Sequence, residues 1–345
     1  MRFAVIEGNG IGPELVKATK EVIAATGLTV EWINVPVGDP AYEKYGHPLP
    51  QESVKQLKEL KVILKGPLSV ERGRGRTTCI HEDGSEHTYP SINNAIRREL
   101  KLFVAPRPIR GYPGISGKHA DMDVVIMREI TEGIYVGWEH QIGDCAAQAI
   151  KLATREAVER LTKYSFEYAR KHNRKKVTCV HKANALSITD GFFLKCFLET
   201  ASQYPDVPYD DNFVDATAFN LAKFPKKYDV IVTDNQYGDI LSDLAGGLAG
   251  SLGIAPGANI GEEVAMFEAT HGSAPDIAGK GICNPISLIL SGAAMLAHVG
   301  QTGAAKRIEE GVRNVLTEAS VLTPDLGGTA TTAQIVSEII RRMPA

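Results

Sequence analysis

Short apolar runs alternate with longer segments of helical period along this chain. Six runs have the composition of buried strands: RFAVIEG, KVILKG, LKLFVAP, MDVVIMRE, KVTCVHK and YDVIVTD. Such alternation predicts an α/β fold with a mostly parallel sheet. The clearest helical pattern is TREAVERLTKYSFEYARKH, in which Val158, Leu161, Tyr164 and Tyr168 recur at spacings of three and four.

The first apolar run leads into a glycine-rich turn, FAVIEGNGIGPELV. Gly8 and Gly10 fit the first two glycines of the dinucleotide-binding pattern G-x-G-x-x-G, but Pro13 occupies the third position. Glu31 lies at about the distance expected of a ribose-binding acid. The turn is therefore either a phosphate cradle or a tight structural connection between a strand and a helix, and the misplaced proline favours the second interpretation.

Composition narrows the classes of function. A chain of 345 residues exceeds the usual size of one hydrophobic core, so two domains or one large domain are expected. A net charge of -3 gives no general attraction to nucleic acid or anionic membrane, and we expect small molecules or copies of the chain as partners. Five scattered cysteines without a C-x-x-C pair fit a reducing compartment. We expect no signal peptide, no membrane span and a cytoplasmic location.

The segment from Ser69 to Ser91 is polar, rich in glycine and charge, and without a sustained period. We interpret it as a long loop. Arg72, Arg74 and Arg76 make an anion-binding lid one interpretation, and a solvated flexible insertion is the other.

Two carboxylates stand out in VTDNQYGDILSD, which follows a strand-like run. Asp239 and Asp243 are four residues apart and would share one face of a helix. A hard divalent cation would relieve their repulsion, whereas a solvated acidic face is the plainer interpretation.

Several residues near predicted strand and helix ends could surround such a cation. Three arginines have the planar fork that matches carboxylates, which suits a polycarboxylate substrate. Lysine beside a cation and arginines can take part in proton transfer. The candidates are Ser91, Asn93, Arg97, Arg107, Arg128, Tyr135, His181, Lys182 and Asn184.

The segment EATHGSAPDIAGKGICNP, residues 268–285, concentrates glycine, proline, histidine, aspartate and asparagine. Its backbone amides could hold a nucleotide without a G-x-G-x-x-G turn. A structural Ω-loop is the alternative.

Together these segments resemble the isocitrate, homoisocitrate and 3-isopropylmalate dehydrogenases, the metal-dependent β-decarboxylating dehydrogenases. The resemblance runs from GNGIGPE to LTPDLGGTATT. It implies two α/β domains with a shared central sheet system, not a Rossmann fold, and a structural role for the glycine turn. The large cofactor-binding domain is expected at 1–98 plus 246–345. The small domain, with dimerisation, substrate and metal residues, is expected at 99–245.

The resemblance also implies roles for the candidate residues in a homodimer whose two active sites are shared between subunits. Arg97, Arg107 and Arg128 match the arginines that bind substrate carboxylates, and Ser91 and Asn93 match further substrate-binding positions. Tyr135 matches the catalytic tyrosine, and Lys182 the catalytic lysine, which the other subunit donates. Asp239 and Asp243 match Mg²⁺ or Mn²⁺ ligands of one subunit, and Asp215 in FVDATAFN matches the ligand from the other.

Cofactor choice follows from the same comparison of motifs. Asp276 and Ile277 stand where NADP-dependent relatives have lysine and tyrosine, and a carboxylate suits the ribose hydroxyls of NAD while repelling a 2'-phosphate. We therefore predict NAD. The cofactor-binding residues implied are Asn184 and Glu268 near the nicotinamide, His271 and Asn284 near the adenine, and Gly272, Ser273, Ala274, Asp276 and Ile277.

The substrate predicted is a 2-hydroxy polycarboxylic acid, most simply isocitrate, which would yield 2-oxoglutarate. Ser91, Asn93 and Arg97 reproduce the S-x-N-x-x-x-R pattern of isocitrate enzymes, and polar groups suit a carboxylate better than an isopropyl group. The long arginine-rich segment and Ile130, where many relatives have asparagine, depart from that pattern. Homoisocitrate, 3-isopropylmalate and a related malate-type acid such as a phosphonate remain alternatives, as does a non-catalytic regulatory subunit.

Overall fold

The structure is a computed structural model that describes residues 1–69, 76–80 and 83–344. Arg72 and Arg74 lie outside the described residues. The strands found there are β1 Arg2–Ile6, β2 Glu31–Asn34, β3 Val62–Lys65, β4 Thr77–Ile80, β5 Glu86–Tyr89, β6 Leu102–Arg110, β7 Asp123–Glu129, β8 Glu139–Ile142, β9 Ala146–Ala149, β10 Val177–His181, β11 Tyr209–Phe213, β12 Val230–Thr233, β13 Pro256–Gly261 and β14 Ala265–Ala269.

Helices occupy most of the connections between these strands. They are α1 Gly12–Ala24, α2 Asp39–Tyr45, α3 Gln51–Leu60, α4 Ile92–Glu99, α5 Arg155–Lys171, α6 Thr189–Ala201, α7 Val214–Lys223, α8 Asn235–Ala249, α9 Ile286–His298, α10 Thr302–Glu318 and α11 Thr332–Arg342. Within the described ranges, no helix combines the length and the apolar character needed to cross a membrane.

The chain divides into two compact units. The first comprises residues 1–101, 110–121 and 246–345, and the second comprises 102–109 and 122–245. The boundaries expected from the sequence differ in residues 99–101 and 110–121, which they placed with the second unit.

In the first unit, five strands lie in the order β13-β14-β3-β1-β2. All neighbouring pairs are parallel except β13 with β14. Helix α9 is apolar over nearly its whole surface and packs on β13 and β14 and against α1 and α10. Burial of a helix on several sides explains why its sequence, ISLILSGAAMLAH, lacks an amphipathic pattern.

In the second unit, the strand order is β11-β10-β12-β7-β6, and the pairs joining β11, β10, β12 and β7 are parallel. Helix α5 begins where the Thr154 hydroxyl accepts a hydrogen bond from the Ala157 amide. Its buried stripe runs through Val158, Leu161 and Phe166, whereas Tyr164 is only half-buried. The helix was predicted correctly, but the stripe is rotated from the tyrosines towards Phe166.

The interpretation of residues 69–91 as one loop was wrong for part of the segment. Strands β4 and β5 form an antiparallel hairpin there, and Cys79 on β4 is fully buried. Asp83 and Gly84 precede β5, and Gly84 has a φ of 79°, which glycine adopts without strain. An Asp-Gly pair is a turn signal, so a hairpin indication was present but was masked by the surrounding charge.

Candidate active site

Helix α8 presents the two aspartates predicted as metal ligands. It begins directly after β12, and Asp239 and Asp243 lie one turn apart on the same face. Arg107, near the end of β6, approaches them: its Nη1 lies 3.8 Å from Asp243 Oδ1 and donates a 3.3 Å hydrogen bond to the Ser242 hydroxyl. The helical spacing expected for the aspartates is present, with a guanidinium beside them.

Arg128, near the end of β7, is almost fully buried and fixes the beginning of α8. Its Nη1 donates to the Asp239 carboxylate, and its Nε and Nη2 donate to Asn235 Oδ1 at 3.1 and 2.8 Å. Gly238 leaves space for this side chain, because a Cβ there would lie 2.7 Å from Arg128 Cγ. Asn235 was not predicted. The available signal was an amide side chain directly after a buried strand.

The Tyr135 hydroxyl donates to Asp239 Oδ2 at 3.3 Å. Burial and the negative charge of Asp239 raise the pKa of the Tyr135 phenol, and the nearby Arg128 opposes them. The phenol is therefore protonated at neutral pH and has a proton to donate.

Asp243 is under opposing influences. Burial raises the pKa of its carboxyl, Arg107 lowers it, and the neighbouring charge of Asp239 raises it again. Two carboxylates that disfavour each other's charge fit a divalent cation. However, no group of three or more His, Cys, Asp or Glu side chains that could hold a metal occurs within residues 1–69, 76–80 and 83–344. Asp239 and Asp243 alone therefore do not make up a group of that size.

Lys182 and Asp215, both expected from the other subunit, lie together. Lys182 Nζ is 2.6 Å from Asp215 Oδ1, and this hydrogen bond holds the pKa of the Asp215 carboxyl below its usual range. The backbone N–H of Lys182 donates to Asp190 Oδ2 at 2.7 Å, which fixes the turn after β10. Asn184, in the same turn, is exposed. Asp215 is also exposed, and Lys182 is half-buried.

In the first unit, the predicted substrate residues lie on and before α4. The Ser91 hydroxyl accepts a 3.2 Å hydrogen bond from the Asn94 amide and caps the helix. Asn93 Nδ2 donates to the Leu68 carbonyl at 3.0 Å. Among the described residues, neither the buried Asn93 Oδ1 nor the buried Arg97 Nε has a hydrogen-bond partner. Both atoms therefore retain capacity for a polar ligand.

Glu268 lies at the centre of a buried charge cluster on β3 and β14. Lys65 Nζ donates to its Oε2 at 2.6 Å, Arg97 Nη2 lies 3.4 Å from its Oε1, and Asn259 Nδ2 donates to Oε1 at 2.6 Å. Burial alone would raise the pKa of Glu268, but Lys65 and Arg97 hold it well below its usual range. Lys65 and Asn259 were missed. A lysine inside the apolar run KVILKG was the signal for Lys65.

The glycine turn after β1 contacts protein backbone. Gly10 has a φ of 59°, and a Cβ on it would lie 2.0 Å from the Ser273 carbonyl oxygen. The next amide, of Ile11, donates to that oxygen at 2.9 Å. Glu31, the residue that a dinucleotide fold would use for ribose, pairs with Arg2 at 3.2 Å. The turn is therefore a structural connection that holds the 268–285 segment.

Within the 268–285 segment, His271 has the clearest unused group. Its Nδ1 lies 3.1 Å from the Gly272 carbonyl oxygen, while no described residue bonds to its buried Nε2. Burial lowers the pKa of the imidazole, which is therefore neutral at pH 7. With its proton on Nδ1, it offers a lone pair on Nε2 that matches an amino group such as that of adenine. The segment fits a nucleotide at this atom.

The other cofactor-binding candidates differ in availability. Gly272 and Asp276 are exposed, and Ala274 and Ile277 are half-buried. The Ser273 hydroxyl lies 2.7 Å from that of Ser69. Asn284 is already engaged, because its Nδ2 donates to Asp325 Oδ2 at 2.9 Å and its Oδ1 accepts from the Ile286 amide at 3.0 Å. Asn284 therefore supports the start of α9 as well as lying in the predicted cofactor segment.

Comparisons with known proteins agree over nearly the whole chain. The isocitrate/isopropylmalate dehydrogenase family profile matches residues 2–339. The chain belongs to this family. It is 40% identical to the probable isocitrate dehydrogenase [NAD] subunit alpha, mitochondrial, of Drosophila melanogaster, over 99% of this chain and 87% of that protein. It is 43% identical to the homoisocitrate dehydrogenase of Methanocaldococcus jannaschii, over 99% and 97% of the two chains.

Among solved structures, the isocitrate dehydrogenase from Methylococcus capsulatus superimposes with a TM-score of 0.90 at 43% identity, covering 99% of each chain. The predicted mixed α/β fold of the isocitrate/isopropylmalate dehydrogenases is confirmed. Members of this family are decarboxylating dehydrogenases that generally use a divalent metal with NAD or NADP, and membership of the family makes the protein an oxidoreductase.

Proposed function

We propose that the protein catalyses the NAD-dependent and divalent-metal-dependent oxidative decarboxylation of isocitrate to 2-oxoglutarate. The observation that carries the reaction type is the arrangement on α8, where Asp239 and Asp243 lie beside Arg107, Arg128 and Tyr135. Two carboxylates for a cation, two guanidiniums for substrate carboxylates and a protonated phenol are the groups such a reaction needs.

Each protein group then has a defined task. Arg107 and Arg128 would bind carboxylates of the substrate and align its hydroxyl. Lys182, supplied by the second subunit, would accept the proton of the substrate hydroxyl as hydride leaves the carbon that bears this hydroxyl. Loss of CO₂ from the resulting β-keto acid leaves a carbanion equivalent at the neighbouring carbon, and Tyr135 would protonate that carbon. A bound divalent cation would stabilise the negative charge on the substrate oxygen, and NAD would accept the hydride.

The preference for isocitrate is supported by the polar start of α4. Ser91, Asn93 and the partly unused guanidinium of Arg97 present hydrogen-bonding atoms, which suit a carboxylate better than a branched alkyl group. The preference for NAD is supported by Asp276, which is exposed in the cofactor segment and would repel a 2'-phosphate. The Drosophila relative carries NAD in its name.

A homodimer with shared sites is supported by two features of the second unit. Exposed apolar side chains concentrate there, including Trp138, Ile188, Phe219 and Ile240, each more than half exposed. Within the described residues, Asp215 also forms no metal-binding group with Asp239 and Asp243 of α8. A second copy would cover the apolar surface and complete the site.

The experiment that tests the proposal measures NADH formation by absorbance with Mg²⁺ and compares kcat/KM for isocitrate, homoisocitrate and 3-isopropylmalate, with NADP in a parallel series. Isocitrate with NAD should give the highest value. Arg97→Gln should raise KM for isocitrate about tenfold or more, because it removes a charged hydrogen bond. Arg98→Gln, on the exposed face of the same helix, is the matched control.

Three outcomes would contradict the proposal in different ways. A preference for homoisocitrate would align the protein with its Methanocaldococcus relative. A preference for 3-isopropylmalate would mean that the polar start of α4 does not face the variable substrate group. Folded protein that binds NAD but oxidises none of the acids would indicate another malate-type acid or a regulatory subunit.

A further inference from the structure

A lysine whose side chain is 15% exposed lies between the two groups of candidate catalytic residues in the second unit. Lys151, between β9 and α5, places its Nζ 2.5 Å from Asp190 Oδ1 and 2.6 Å from Asp234 Oδ2. The ammonium also lies 4.3 Å from the centre of the Tyr237 ring. Asp190 and Asp234 are 2% and 7% exposed. We refer to Lys151, Asp190 and Asp234 as the Lys151 cluster.

Each carboxylate of the Lys151 cluster has a second bond to backbone that matters for the site. Asp190 Oδ2 accepts from the N–H of Lys182 at 2.7 Å and so fixes the turn that presents this lysine. Asp234 Oδ1 accepts from the N–H of Tyr237 at 2.8 Å and caps the start of α8. One ammonium therefore joins the Lys182 turn to the helix that carries both candidate metal ligands.

The two aspartates depend on the charge of Lys151. Two buried carboxylates share a single cation, and without it they would repel each other in a poorly solvated environment. Burial opposes the charge of Lys151, but Asp234 and Asp190 outweigh it and raise the pKa of the ammonium above its ordinary value. The adjoining cavity measures about 10 Å³, the space of roughly one water molecule.

We propose that Lys151 is a positioning residue, which holds the Lys182 turn and the start of α8 in their catalytic arrangement. This inference rests on the proposed function, since that function gives Lys182, Asp239 and Asp243 their roles. Lys151 acts on the reaction through the two aspartates. Its loss should therefore disturb the backbone at two places that are far apart in sequence and should slow turnover more than it weakens binding of NAD.

The test compares Lys151→Met and Lys151→Arg with Lys176→Met as the matched control. Lys176 also pairs with an aspartate, Asp210, at 2.8 Å, but at the opposite end of β10 and more exposed. Native hydrogen exchange of the Lys182 and Tyr237 amides is measured together with kcat and KM. We expect exchange about tenfold faster at both amides in Lys151→Met. We expect kcat to fall about tenfold or more, with KM for NAD within about twofold.

Lys151→Arg should recover part of both effects, because it restores the charge with different geometry. Lys176→Met should change neither. A lower melting temperature in Lys151→Met, with wild-type exchange at both amides and wild-type kcat, would overturn the proposal and leave Lys151 a purely stabilising residue.

Two further provisions separate the possible failures. If Lys151→Met does not fold, Asp190→Asn keeps one neutral Lys151–Asp234 pair. This variant should then speed hydrogen exchange at the Lys182 amide while leaving the Tyr237 amide at its wild-type rate. A wild-type exchange rate at the Lys182 amide would contradict the link. If the wild type oxidises none of the acids tried, the proposed function fails, and the exchange rates alone decide the positioning role.

Discussion

Glu268 carries a buried charge in the first unit. Its side chain and that of Lys65 are 11% and 2% exposed, so removal of the carboxylate leaves a buried ammonium without compensation. We expect Glu268→Gln to lower the free energy of unfolding at pH 7 by about 3–5 kcal/mol. Urea unfolding followed by circular dichroism measures this loss.

The same substitution predicts a pH dependence. The pKa of Glu268 is depressed in the folded protein, so in the unfolded chain its carboxyl takes up a proton first, near pH 4.3. The stability that Glu268 contributes is therefore complete above about pH 5 and declines as pH falls further. The difference between wild type and Glu268→Gln should shrink in that acidic range. Glu199→Gln, at an exposed ion pair with Arg155, should have a much smaller effect. A difference independent of pH would contradict the assignment.

Gly10 gives a second prediction at the scale of one residue. Gly10→Ala should cost more than about 2 kcal/mol, because it combines an unfavourable φ with a clash against the Ser273 carbonyl oxygen. Gly27→Ala is the matched control, since Gly27 has a φ of 85° but nothing within 4 Å of its Cβ position. It should cost about 1 kcal/mol.

Gly10→Ala should also weaken binding of NAD, because Ser273 belongs to the segment predicted to hold the cofactor. Thermal melting and calorimetric titration with NAD measure the two effects. Equal stability losses in Gly10→Ala and Gly27→Ala, with unchanged NAD affinity, would show that the Ser273 contact has no consequence.

Among the elements, α8 carries the prediction for metal binding. Asp239→Asn and Asp243→Asn should each lower the affinity for Mn²⁺ about tenfold or more, because each removes a charged oxygen ligand. Electron paramagnetic resonance of free Mn²⁺ measures this affinity directly and does not require turnover. Asp206→Asn, which alters an exposed ion pair with Arg170, should leave the affinity unchanged. Wild-type affinity for Mn²⁺ in both α8 variants would mean that the two aspartates only form ion pairs with Arg107 and Arg128.

The elements also show which parts of the structure the sequence could predict. Periodicity identifies α5 and the six buried strands because burial and helical period leave a local pattern. It fails for β4 and β5, which are only four residues long each and lie in a segment rich in charge. Partners such as Lys65 and Glu268 are 203 residues apart, and no local pattern reports that they meet. Lys151 is a similar case, since its two aspartates lie 39 and 83 positions further along the chain.

At the scale of the whole molecule, the alternation of strands and helices predicts the fold class, but the expectation of a second subunit comes only from the family resemblance. Phe219 and Ile240 are exposed, but in the sequence they look like apolar positions of ordinary amphipathic helices. Nothing in the spacing of residues tells that Lys182 and Asp215 lie together, because their contact depends on how β10 and α7 pack. The predicted dimer is thus the property for which an experiment adds most.

Complementation between inactive variants tests the shared site. In a dimer, Lys182→Ala damages the site to which that chain donates its lysine, and Asp239→Asn damages the site that its own α8 forms. When the two variants are mixed and allowed to exchange subunits, each heterodimer should contain one site with both defects and one intact site. Random exchange should restore about a quarter of wild-type activity, because about half the dimers are mixed and half their sites are intact.

The matched control uses two substitutions on the same side of the site. Lys182 and Asp215 lie 2.6 Å apart in one chain, so Lys182→Ala mixed with Asp215→Asn leaves a defect in both sites of every heterodimer. That mixture should stay inactive. Light scattering verifies that all three variants are dimers before mixing. Recovery in both mixtures would mean that Asp215 is dispensable. Recovery in neither, with subunit exchange demonstrated by mass-labelled chains, would mean that Lys182 and Asp239 of the same chain serve one site and that the subunits do not share their catalytic groups.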